Sequence, residues 1–202
     1  MRSFVLALAA LGAAAFVAGA DASVAAGGKP DDRQGEVRAP QTPAELRDDL
    51  YARLAASADA DETNALVELM FVAYGRSGSD TGDLLLQRAR KAAEGEDYGD
   101  AEQILDAAVA FLPDSAEAWN ARATVRFLDD DADGAMADIA ETLKRDPRHI
   151  GALIGMAAIL QGRDKDKEAL AVYERVLTIA PHWKTAEEPA AKLREKVEGR
   201  PL

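Results

Sequence analysis

Asp129-Asp130-Asp131-Ala132-Asp133-Gly134 has the D-x-D-x-D-G opening of a calcium loop. Such a loop closes with a bidentate Glu at its twelfth position, and Ala140 stands there instead. The same residues read equally as a tight turn between two helices, which is the reading taken here. His149 and His182 are the chain's two histidines, and there is no Cys. Two separated His without further convergent ligands do not make a metal site, so both are expected at ordinary loop positions. No disulfide, thiolate or lipidated Cys is possible. Gly-x-Ser-x-Gly, a phosphate loop and a Cys–His pair are all missing. The expectation is a non-enzymatic protein with no cofactor and no metal.

The elements that would carry such side chains follow a strict period. Pro113, Pro147 and Pro181 are spaced by 147 − 113 = 34 and 181 − 147 = 34 residues. In that register Leu85, Trp119 and Leu153 align, as do Ala89, Ala123 and Ala157. Ala101, Ala135 and Ala169 form a third column, and Leu105, Ile139 and Tyr173 a fourth. Small residues at fixed intervals let helices cross closely, and bulky ones fill the space beside them. Each Pro ends a helix because it lacks an N–H and clashes with the preceding turn. A single pair of such helices cannot bury its apolar face, so neighbours stack.

The columns resemble the tetratricopeptide repeat, a 34-residue helix–turn–helix unit. Matching units are 82–115, 116–149 and 150–183, with Arg88, Arg122 and Arg126 standing where the family pattern has Leu or Tyr. The resemblance implies an all-α solenoid of antiparallel helix pairs. It also implies a concave groove, lined by the first helix of each repeat, that receives a peptide or a helix. Carried onto this chain, the groove residues are Leu86, Arg90, Asn120, Thr124, Phe127, Ile154 and Ala158. Arg122 is expected in a structural ion pair. Helices are expected near 82–94, 98–111, 115–128, 132–145, 149–161 and 165–179.

The flanks complete the layout. Residues 1–22 read as a secretory signal: a basic Arg2, an apolar run from Phe4 to Ala20, and small-residue cleavage patterns ending at Ala20 or Ala22. Export to a bacterial periplasm, with no membrane insertion after cleavage, is the expectation. Residues 23–42 have no apolar period and read as a disordered linker. Residues 43–78 read as a helical hairpin, with Thr42, Pro43 and Glu45 starting the first helix. Its second helix is expected over 62–74 with Leu66, Leu69, Met70 and Ala73 on one face, the hairpin covering the open end of the stack. The repeats occupy 79–183, and 184–202 is a capping helix and tail with Leu193 and Val197 inward. Pro189 is expected in that helix's first turn.

Across 202 residues the charged fraction is 30% and the net charge −12. That excludes a basic nucleic-acid-binding surface. The partner expected is a protein or peptide, and self-association through the solenoid ends into a homo-oligomer is the alternative.

Overall fold

The computed structural model describes residues 42–199. The signal and most of the linker expected at 1–41, and the tail at 200–202, lie outside the described residues. Among the described residues there are nine helices and no strand: α1 Pro43–Ala55, α2 Ala60–Tyr74, α3 Asp80–Glu94, α4 Tyr98–Phe111, α5 Ala116–Leu128, α6 Ala132–Arg145, α7 Ile150–Gly162, α8 Asp166–Ile179 and α9 Lys184–Glu198. The fold is an all-α solenoid of helix pairs.

Local chemistry sets the boundaries. Thr42 and Glu45 form a reciprocal capping box at the start of α1. Ser79, Asp97, Ser115 and Asp131 each accept an N–H from the residue three positions on. Asp131 is the third residue of the calcium-like stretch, and its carboxylate caps α6 through Gly134 N–H at 2.9 Å. A Cβ on Gly134 would sit 2.0 Å from that carboxylate, so a larger residue there requires the Asp131 side chain to shift. The turns inside the pairs repeat as well. Glu96, Asp130 and Asp164 all have positive φ. In each turn the following N–H reaches back to a carbonyl five residues earlier: Asp97 to Ala92, Asp131 to Arg126, Lys165 to Leu160. That is the Schellman closure of a helix C-terminus.

The aligned columns become the packing. Ala101, Ala135 and Ala169 are fully buried, and Ala89, Ala123 and Ala157 nearly so. Leu105, Ile139 and Tyr173 are buried beside them. Arg122 does form the structural pairing expected of it. Its guanidinium holds buried Asp138 at 2.9 and 2.8 Å and Asp106 at 2.8 Å, while Arg126 joins Asp138 to Glu102. Hydrogen bonds to Asp138 hold the Arg122 guanidinium above its usual range, with burial opposing them.

Three expectations about the flanks are corrected. The hairpin does not cover the first repeat. Leu50, Tyr51, Leu54, Leu66, Val67, Met70, Ala73 and Tyr74 share one apolar core with Ile150, Leu153, Ile154 and Ala157 of α7 and with Tyr173 and Val176 of α8. The first repeat has a separate core with α5. Leu69, expected inward, is 49% exposed, and Val67 takes its place. The reason is that α2 is covered on two sides, by α1 and by the third repeat. At the other end, Pro189 lies in the second turn of α9 rather than the first. Its missing N–H leaves the Thr185 carbonyl without the usual donor. Ala186 and Ala190, both buried, hold the helix down on either side. Leu193 is buried and Val197 half-buried. Arg194–Glu174 and Lys196–Asp166 tie α9 to α8.

Candidate functional site

The candidate site is the concave face formed by α3, α5 and α7, and it is already partly filled. A Cβ placed on Gly151 would lie 3.4 Å from the Phe71 ring and 3.6 Å from Asn120 Nδ2. One on Gly75 would lie 3.7 Å from the Arg90 guanidinium. So α2 runs through the hollow, its C-terminal end beside the first repeat and its buried face against the third.

The seven groove residues fare differently. Ile154 is 1% exposed and lies in the core shared with the hairpin, closed to a ligand in this arrangement. Leu86 is buried in the first repeat's own core. Arg90 is half-buried and has no hydrogen bond or ion pair with a described residue. Asn120 is half-buried and donates to Glu117 Oε2 at 3.2 Å. Thr124 is exposed and donates to the Asn120 carbonyl. Phe127 is half-buried against the core of the second repeat. Ala158 is half-buried. Of the seven, Ile154 shares a core with α2, Arg90 lies beside Gly75 at its C-cap, and Asn120, like Phe71, borders Gly151.

A chain of polar contacts pins the hairpin at the foot of α7. The buried Ile150 N–H donates to the Tyr74 hydroxyl at 3.1 Å. The Tyr51 hydroxyl donates to Asp146 Oδ2 at 2.7 Å. The two hydroxyls are 2.7 Å apart, and because Tyr51 has committed its proton, Tyr74 donates between them. Burial pushes both phenols far above their ordinary pKa. The Tyr74 ring stacks on His149 with centroids 3.9 Å apart. His149 is fully buried, unlike exposed His182, and is no ordinary loop residue. It is the N-cap of α7: Nδ1 accepts the Ala152 N–H, so the ring proton is on Nε2, facing Glu117 Oε2 at 3.2 Å. Arg148 pairs with Asp48 and lies over the Tyr51 ring.

Sequence reasoning missed Phe71, Tyr51, Tyr74 and His149 as contributors here. A signal existed. Ile150–Leu160 is apolar on every side, and a helix apolar all round is covered all round. His149 also stands 34 residues after Ser115, the cap of α5.

Beside this junction is a cavity of about 530 Å³. Arg47 and Tyr51 of α1, Arg76 after α2, Phe111 at the end of α4, Glu117 in the first turn of α5 and Arg148 between α6 and α7 are among its walls. Arg47 and Arg76 have no hydrogen bond or ion pair with a described residue. Among the described residues no group of three or more His, Asp or Glu could hold a metal ion. None of the described helices is long and apolar enough to cross a membrane.

A protein of Rhizobium etli named as TPR repeat-containing is 39% identical over 161 residues, covering 80% of this chain and 79% of that one. The chain belongs to the tetratricopeptide-repeat family. No family model matches it. Its fold is also that of solved tetratricopeptide domains. The first TPR of Spaghetti (RPAP3), bound to the HSP90 peptide SRMEEVD, has a TM-score of 0.55 at 20% identity over 58% of this chain and 93% of that one. The Sgt2 TPR domain of Aspergillus fumigatus has a TM-score of 0.55 at 16% identity, covering 61% and 87%. The Arabidopsis OM64 TPR domain has 0.54 at 19%, covering 57% and 95%. A tetratricopeptide-repeat array is a protein–protein interaction module.

Proposed function

We propose that this protein is a non-enzymatic adaptor or assembly factor of the periplasm, exported through residues 1–22, that holds a peptide or helix of an envelope protein on its concave face. The observation that carries the reading is the seat of α2. A surface that already accommodates a helix, with Gly151 leaving room for Phe71, has the curvature and the apolar lining to hold one. A solved tetratricopeptide domain of the same fold is bound to an HSP90 peptide. Arg90, Asn120 and Thr124 supply hydrogen-bonding groups on the part of the face that remains accessible.

The test is photo-crosslinking in cells from position 124, followed by mass spectrometry. The expected result is one envelope protein whose capture is lost when Arg90→Glu and Asn120→Ala are combined, with helical circular dichroism unchanged. Unchanged capture in that double variant rejects the concave site, and protein retained in the cytoplasmic fraction rejects export.

Self-association is favoured by a separate observation. The hairpin leaves the first repeat uncovered, with Leu84 47% and Phe111 53% exposed. Light scattering at micromolar concentration separates the readings: a monomer rejects self-association.

A further inference from the structure

We infer that the α1–α2 hairpin is a tethered, exchangeable occupant of the groove, and that the partner is an amphipathic helix presenting the face that α2 now buries. This rests on the groove reading above and names what the groove recognises. The seat defines the ligand. Leu66, Met70 and Ala73 of α2, with Val67 and Tyr74, share one core with Ile150, Leu153, Ile154 and Ala157, and α2 meets the foot of α7 where Phe71 approaches Gly151 and Tyr74 takes the Ile150 N–H. Removing α2 would leave that apolar strip bare, so release has to be an exchange, one helix for another. The incoming helix needs the same i, i+4, i+7 apolar spacing, with a hydroxyl-bearing residue at its C-terminal end for the Ile150 N–H.

The attachment of the hairpin is what makes exchange feasible. Its core is continuous with the third repeat and separate from that of the first, to which it is joined in sequence. The joint is short and located. Ser77 is fixed to the first repeat through Asp83 and Ser79, by Ser77 N to Asp83 at 2.7 Å and Ser77 Oγ to the Ser79 carbonyl at 3.1 Å. Tyr74 is fixed to the third. Gly75 and Arg76 lie between, so rotation there swings the whole hairpin while leaving α3 capped. At the rim the hairpin is held by polar contacts, Tyr51 to Asp146 and Asp48 to Arg148. Leu69 and Val72, exposed on α2, offer an approaching helix its first apolar contact. A short tether keeps the local concentration of the hairpin at about millimolar or above, so a partner displaces it only when its concentration relative to its own Kd exceeds the same ratio for the hairpin.

The test uses two full-length variants and one probe. Leu54→Ala shortens a fully buried side chain of α1 in the core that the hairpin shares with the third repeat, and Tyr51→Phe removes the hydroxyl that holds Asp146 while keeping the ring under Arg148. The probe is a fluorescein-labelled peptide of residues 58–76. Hydrogen exchange is expected to quicken at least tenfold in α1 and α2 of the Leu54→Ala chain, with α3–α6 unchanged. Probe affinity, by fluorescence anisotropy, is expected to rise at least tenfold over wild type, with Tyr51→Phe in between. Exchange that quickens equally in all helices shows that the hairpin does not leave separately; it overturns the inference and leaves the adaptor reading standing with a partner elsewhere. Faster exchange confined to the hairpin, without probe capture, overturns the groove as a helix receptor and the adaptor reading with it.

Discussion

Replacing Tyr74 by Phe tests the junction at the level of single atoms. The ring survives, and with it the stack on His149 and the edge contact with Phe71. Only the hydroxyl goes, so no cavity larger than one oxygen forms. Two things are lost. The Ile150 N–H, on a residue that is fully buried, loses its acceptor. Leaving a buried donor unpaired costs about 1–3 kcal/mol. The Tyr51 oxygen also loses its donor, though Tyr51 keeps Asp146, which is worth about 1 kcal/mol or less. The sum is about 1–4 kcal/mol. Tyr51→Phe leaves the Ile150 bond intact but takes away the acceptor of the Tyr74 hydroxyl, and should cost about 1–3 kcal/mol, while half-buried Asp146 keeps the Arg148 N–H. The two hydroxyls touch, so the double variant should fall short of the sum of the singles by at least about 0.5 kcal/mol. Urea unfolding followed by circular dichroism measures all three. A Tyr74→Phe loss below about 0.5 kcal/mol, or strict additivity, would refute the hydroxyl chain as described.

Other outcomes follow from the same packing. Asp138→Ala leaves Arg122 and Arg126 facing a buried void, each still holding one outer carboxylate, and should cost about 3 kcal/mol in urea unfolding, at the lower end for breaking a buried pair. Glu96→Gly relieves a positive φ of 60° at a helix end and should raise stability by about 1 kcal/mol, seen as a higher urea midpoint. Alkaline stability should decline in a defined way. Burial raises Tyr51 and Tyr74 above the usual phenol range and pushes Tyr173 up to about 12. The folded state therefore holds these protons after the unfolded chain has released them. Stability from this source is complete below pH 10, the ordinary phenol value, and falls as pH rises beyond it. Phenolate absorbance from these three side chains should appear together with loss of helix.

The sequence made the repeat frame legible because it is written in one-residue columns. Ala101, Ala135 and Ala169 have to be small for the helices to touch, and that demand recurs every turn of the solenoid. Turn chemistry was legible for the same reason: Asp131 and Gly134 are a cap and its close approach, which also explains why they imitate a metal loop. The seat of α2 was harder to see. Nothing in the hairpin's own periodicity distinguishes packing on the first repeat from packing on the third, since both present apolar faces. The information lay in α7, where Ile150, Ile154 and Ile159 leave no polar side, against α5, where Asn120, Arg122, Thr124 and Arg126 do. Family positions placed Ile154 and Asn120 in one groove. They could not say that a helix of the same chain covers Ile154 and leaves Thr124 in water.

The most direct measurement of the central claim is a nuclear Overhauser spectrum of the isotope-labelled chain, read at the aromatic rings of α2. With the hairpin seated in the concave face, the Phe71 ring protons show cross-peaks to the Gly151 Hα and the Asn120 side-chain amide, and the Tyr74 ring to that of His149. Cross-peaks from Phe71 to Leu84 or Arg88 on the outer side of α3 instead, with none to Gly151, would place the hairpin at the end of the stack and contradict the account.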